Sequence, residues 1–158
     1  MLLGKKRKLG RRFEEIEIGE KLILTEKMED KDLLLYLGLT NDSNPLYIQH
    51  DYVSQTPYEK PLVPNIMLTG IITSAVSKYL PGPGSYITKQ NLSFLMPVYH
   101  YSMIQFFFEI IKREEERKEV IVDVRALDEE ENIVIQGEIA VRPPCQLQSI
   151  DDNVLENF

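Results

Sequence analysis

The chain has 158 residues, 43% of them apolar, and a formal net charge of −7. That length suits one domain with one real core, and the acidity argues against a general nucleic-acid binder, which needs a basic surface to displace counterions from phosphates. Cys145 is the sole cysteine and His50 and His100 the only histidines, so an intrachain disulfide is excluded, no zinc constellation of the usual spacing exists, and neither a metal nor another cofactor is expected.

The first twelve residues, MLLGKKRKLGRR, carry six Lys or Arg and no acid. They read as a solvated, mobile segment, with contact to an anionic ligand or partner as the functional alternative. No apolar run of the kind a secretory signal needs follows Met1. No stretch approaches the roughly 18 consecutive apolar residues of a membrane span, so a soluble, cytoplasmic protein is expected. The chain divides into this basic segment (1–12), a domain over 13–142 and a C-terminal tail (143–158). Cys145 follows Arg142-Pro143-Pro144 with no neighbouring His, which places it outside the core and makes it a poor nucleophile.

A β-prone run over 21–28 follows a turn at Gly19. Asp30 is placed to cap a helix in KDLLLYLGL, with Leu33, Leu34, Leu37 and Leu39 as its apolar stripe and a stop between Gly38 and Asn41. An Asx-rich turn, Asp42-Ser43-Asn44-Pro45, comes next, then a short helical piece around HDYVSQ and a loop over 57–64 with three prolines. Residues 65–80, NIMLTGIITSAVSKYL, are apolar or small on nearly every side, which predicts a helix wrapped by other elements and closed by PGPG.

Everything after Gly84 reads as strand, in runs over 85–98, 101–113, 119–127 and 132–142. Val120, Val122 and Val124 alternate with Ile121, Asp123 and Arg125, and Ile133, Ile135, Gly137, Ile139 and Val141 share one face. REEERKE (113–119) and DEEEN (128–132) suit hairpin tips. Among Phe106, Phe107 and Phe108 at least one ring must face away from the other two, which points to a covered outer face and a dimer interface. An early strand, one central helix and a meander of about four strands describe an α+β solution, an antiparallel sheet curled around a helix.

The motif D-x-N-P-L (Asp42 to Leu46), then IQHDY, the proline-rich loop, PLVPNIMLTGIITS, LPGPGS and L-S-F-L-M-P-V, closed by two hairpins, resembles the MaoC-like hot-dog family of (R)-specific enoyl-CoA hydratases. The likeness runs over roughly residues 13–142. It implies a hot-dog fold, an antiparallel β-sheet wrapped around one long central α-helix. It also implies an acyl-CoA thioester substrate, hydrated from trans-2-enoyl-CoA to (R)-3-hydroxyacyl-CoA, and a homodimer or higher homo-oligomer. In the family, D-x-N-P-x-H supplies an Asp and a His that hold and activate one water. Here Asp42 matches the Asp, Asn44 and Pro45 match the linking residues, and Tyr47 stands where the family has His. The resemblance further implies that a backbone N–H at the start of the central helix meets the thioester oxygen. Asn65 takes the family's Gly position after Val63-Pro64, and Pro64 has no N–H, so the Asn65 or Ile66 amide is the candidate donor.

Adding water at C3 of an enoyl thioester requires a group that shuttles protons near neutral pH. A phenol with a pKa near 10 is a poor base there, although it can place a water by hydrogen bonding. If residues 46–54 are helical, His50 shares a face with Tyr47 and is a possible substitute; otherwise it is a surface His beside Asp51. Asn65 reads equally as a helix cap. Thr69, Thr73 and Ser74 either bond the substrate or the Asp42 turn, or bond back to their own helix. Phe94 and Pro97 read as core and strand-end residues. Three functions compete: a hydratase using Asp42 with Tyr47 or His50, a non-catalytic acyl-CoA or acyl-carrier binder, and a thioesterase on the same fold. The order of the motifs and the retained Asp favour the hydratase.

Overall fold

The computed structural model describes residues 9–145. Residues 1–8 and the tail from residue 146 lie outside the described residues, together with the mobility expected of the basic start. The end of that basic segment is docked rather than free: Gly10 N–H donates to Pro83 O at 2.7 Å, Arg11 N–H donates to Pro81 O at 3.1 Å, and Arg11 pairs with Glu20. The PGPG turn offers carbonyls that no strand partner uses, and these backbone donors take them.

The elements are β1 (Lys21–Lys27), α1 (Asp30–Thr40), the four-residue helices α2 (Pro45–Ile48) and α3 (His50–Val53), α4 (Asn65–Lys78), β2 (Tyr86–Phe94), β3 (Met103–Glu114), β4 (Glu119–Leu127) and β5 (Ile133–Arg142). All five strands form one antiparallel sheet in the order β1-β3-β4-β5-β2. One side of α4, with Leu68, Ile72, Ala75 and Val76, is buried in the same core as the inward side chains of β3, β4 and β5. Period-two alternation places them there: Val120, Val122 and Val124 are fully buried, as are Phe106 and Phe108, while Phe107 points to the opposite face.

Four expectations need correction. The last four strands are not one meander: β3, β4 and β5 pair in sequence, but β1 occupies the free edge of β3, so β2 pairs with β5 instead. The central helix is not covered all round, because Ile66, Gly70, Thr73 and Ser77 form an exposed stripe at helical spacing. In α1 only Leu33 is buried, whereas Leu34, Leu35 and Leu39 are 67%, 72% and 87% exposed; this helix lies beside α4 without reaching the sheet's inner face. Ile133 leaves the face it was expected to share. The register shifts between the pairs Leu127↔Ile133 and Ala126↔Ile135, so Val134 is the extra, buried residue of a bulge and Ile133 turns outward.

Gly137 is a point of close approach between β5 and β2. A Cβ there would collide with the Asn91 carbonyl oxygen and sit 2.9 Å from Leu92 Cα, both backbone of the paired strand. Gly137→Ala is therefore expected to lower stability by about 3 kcal/mol, the upper part of the usual overpacking range, measured by urea unfolding.

Candidate active site

Helix α1 stops at Asn41, which takes a left-handed conformation (φ 54°) and donates its N–H to Leu37 O. Asn tolerates this conformation better than most residues with a Cβ. The reversal brings Asp42 back under the last turn of α1, where the Tyr36 hydroxyl donates to Asp42 Oδ2 at 2.6 Å. Asn44 N–H donates to Asp42 Oδ1 at 3.0 Å, and Asn44 Oδ1 accepts from Leu46 N–H at 3.0 Å, capping α2 with Pro45 in its first turn. Asp42 is thus held by a donor on each carboxylate oxygen.

These donors set its charge. The Tyr36 hydroxyl first, and the Asn44 N–H second, hold the Asp42 carboxyl below the usual carboxylate range, so it is ionised at neutral pH. The same bond pushes the Tyr36 phenol up. Tyr47 is also pushed up, by burial first and by the charge of Asp42 second. It keeps its proton at neutral pH, where a phenol can donate a hydrogen bond but is a poor base.

Residues 46–54 are not one helix. Gln49, at φ −114° and ψ 99°, separates α2 from α3, and His50 is the exposed first residue of the latter. The one-turn relation between Tyr47 and His50 therefore fails. Both nevertheless line one groove of about 660 Å³, together with Leu33 and Leu37 of α1 and with Tyr99 and His100 of the segment entering β3.

Asn65 does not cap α4. The capping position is Pro64, no side chain bonds the helix start, and Asn65 is an exposed first-turn residue beside the exposed Ile66. The first N–H groups of a helix have no acceptor within it, so the Asn65 and Ile66 amides point out of α4 with the positive end of its dipole. The Asp42 turn is tied to this end of the helix: Leu62 N–H donates to Leu46 O at 3.0 Å, and Val63 N–H donates to Val98 O at 2.7 Å, just before Pro64. Thr69 and Thr73 bond back to Asn65 O and Thr69 O at 3.2 and 3.0 Å. Ser74 lines a separate groove with Met67 and Ile71.

This chain is 24% identical over 131 residues to the (R)-specific enoyl-CoA hydratase of Aeromonas caviae, with 83% of this chain and 98% of that protein aligned. It is 26% identical over 132 residues to the 3-hydroxybutyryl-CoA dehydratase of Methylorubrum extorquens, covering 84% and 83% of the two. Its fold superposes on the unliganded R-hydratase of Pseudomonas aeruginosa with a TM-score of 0.79 at 22% identity, over 90% of this chain and 94% of that one. In sequence and fold the chain is similar to the MaoC-like hot-dog hydratases and dehydratases. No family model matches it, so the likeness rests on these relatives and on the fold.

Two side chains at the site of this MaoC-like protein escaped the sequence reading. Tyr36 precedes Asp42 by six residues, a spacing that becomes a contact only because Asn41 reverses the chain. His100 reaches the groove from the far side of the sequence, bonding a residue 38 positions away. Among the described residues no cluster of metal-binding side chains occurs, and no helix is long and apolar enough to cross a membrane.

Proposed function

We propose that this MaoC-like protein is an (R)-specific enoyl-CoA hydratase, adding water to a trans-2-enoyl thioester, and that Asp42 carries the proton. The observation that supports this most is the ionised Asp42 carboxylate, fixed by Tyr36 and Asn44 beside the half-buried Tyr47. As water oxygen bonds to C3, one Asp42 oxygen takes the water's proton. The C2–C3 π pair moves between C2 and the thioester carbon, and the thioester C–O π pair moves onto its oxygen, giving the enolate. The same carboxyl then returns the proton to C2, the enolate collapses, and Asp42 is regenerated. The amides of Asn65 and Ile66 face the developing oxygen charge, as unpaired donors at a helix N-terminus do. Tyr47 donates a hydrogen bond that places the water, and Asn44 orients Asp42. His50, exposed and on a separate helix, is the weaker candidate for a proton-transfer partner.

The reading extends to a cytoplasmic homo-oligomer acting on an acyl-CoA or acyl-carrier thioester. The exposed leucines of α1 and the open stripe of α4 support a second copy as their cover. The test is loss of the conjugated enoyl absorbance when the purified protein meets crotonyl-CoA and a longer enoyl-CoA, with free thiol assayed in parallel. Loss without thiol release is the expected result. Thiol release would make it a thioesterase. Tight acyl-CoA binding without turnover would leave the non-catalytic binder, which the lowered Asp42 and raised Tyr47 pKa values favour as second reading.

The hydrogen bond from Tyr36 makes a prediction with a definite sign. Asp42 has a depressed pKa in the fold, so whatever it contributes to stability is present above its unfolded-state pKa and lost as pH falls through the folded value. Tyr36→Phe removes the largest cause of that depression. The acid limb of the kcat/KM profile should therefore move upward, towards the ordinary aspartate value of about 3.9. A limb that stays in place or moves down would mean that another group controls it.

A further inference from the structure

His100 has no part in the reaction written above, yet its side chain is only 10% exposed and its ring is clamped between two polar groups. Nε2 lies 3.1 Å from the Leu62 carbonyl oxygen. A carbonyl only accepts, so Nε2 carries a proton and donates it. On the other side Nδ1 is buried without a hydrogen bond and faces Asp30 Oδ1 at 3.6 Å. Asp30, expected to cap α1, lies instead in its first turn behind Glu29 and accepts from the Tyr101 hydroxyl. Tyr101 itself has φ 67°, a costly conformation for a bulky side chain, and donates its N–H to Met28 O at 2.7 Å. Strain of that kind persists only where the surroundings over-determine the backbone.

From the imidazole the chain of bonds runs on into the site. Leu62 accepts from His100 and donates its own N–H to Leu46 O at 3.0 Å. Leu46 lies in α2 between Asn44, which orients Asp42, and Tyr47. In the other direction, two residues after Leu62, Pro64 opens α4. Both halves of the site therefore hang from one peptide segment. A short bridge from Leu62 to Tyr99, with its Val63 N–H to Val98 O bond, holds that segment on one side, and the buried His100 ring grips it at the Leu62 carbonyl.

We infer that His100 is a positioning residue, whose Nε2–H on the Leu62 carbonyl sets the placement of the Asp42–Tyr47 turn against the N-terminus of α4. That placement is the span over which water, C3 and the thioester oxygen must align. Misplacement by an ångström in such a span costs on the order of 10²-fold in rate. The kinetic consequence rests on the hydratase reading; the structural one does not.

The experiment compares His100→Leu, which removes the donor, with His100→Gln, whose amide can still reach the Leu62 carbonyl. Two readouts are taken: kcat and KM with crotonyl-CoA, and hydrogen exchange at the Leu62 and Tyr47 amides. His100→Leu is expected to lower kcat by roughly 10-fold to 10²-fold with KM little changed, and to speed exchange at both amides. His100→Gln should recover most of both. Equal impairment in the two variants, or wild-type kcat in His100→Leu, would overturn the inference. Should the wild type itself show no turnover, the hydratase reading fails, and unchanged exchange at Leu62 and Tyr47 in His100→Leu would overturn the positioning role separately. If His100→Leu does not fold, His100→Asn keeps a polar side chain but draws the donor back from the Leu62 carbonyl. A smaller change in the same direction in exchange, and in kcat where there is turnover, is then expected, and no change overturns the inference.

Discussion

Asp42→Asn is expected to lower kcat for hydration of crotonyl-CoA by roughly 10²–10⁴-fold, the usual contribution of a positioned acid–base group. Asparagine has the same shape and can still accept the Asn44 N–H that forms the turn. The Tyr36 hydroxyl can rotate to accept from the new amide, so the contact at Asp42 Oδ2 survives with its polarity reversed. On the proposed mechanism, what disappears is the ability to take a proton from water and give it to C2. The variant should keep its Tm to within a few degrees, since the site is partly exposed and its backbone bonds remain. A matched Tm is what allows lost turnover to be assigned to chemistry. If kcat instead stayed within a few-fold of wild type, the proton would have to travel by another group, and the role of the turn would reduce to binding.

The readable parts of this molecule are those whose signal is local. Val120, Val122 and Val124 announce a half-buried strand because side chains alternate with period two, and they are buried. The apolar run in α4 announces a helix, and the Asx-rich turn announces itself because Asp and Asn bond the backbone two residues on, as Asp42 and Asn44 do. Pairing of β2 with β5 was not readable, because it depends on which edge β1 leaves free. The grip of Tyr36 on Asp42 depends on one residue, Asn41, adopting φ 54°. His100 meets Leu62 across 38 residues, and no periodicity carries a contact of that range. The outward face of α4 was misjudged for a related reason: Ile66 and Gly70 are apolar or small whether or not anything covers them. Composition reports what a helix prefers to bury, and the rest of the fold decides which side is buried.

Tyr47→His is expected to raise kcat, towards the lower end of the 10²–10⁴-fold that a positioned imidazole contributes. The family places His at this position, and the surroundings here explain why a phenol is a poor replacement. Burial and the nearby Asp42 carboxylate both push the Tyr47 pKa up, so the hydroxyl keeps its proton at neutral pH and is a poor base there. The same carboxylate acts on an imidazole in the useful direction, favouring its protonated form and so bringing proton exchange within reach of neutral pH. Asn44 and Pro45 already build the turn that carries the side chain, and Leu46 O is held by Leu62, so the new ring would start from an ordered backbone. Measured beside Tyr47→Phe, the substitution separates two roles. A gain with His and a loss with Phe would mean that the hydroxyl places the water and that proton transfer limits the rate. No gain with His, while Asp42→Asn remains inactive, would mean that proton transfer by Asp42 does not limit the rate and that the site has adapted around the phenol.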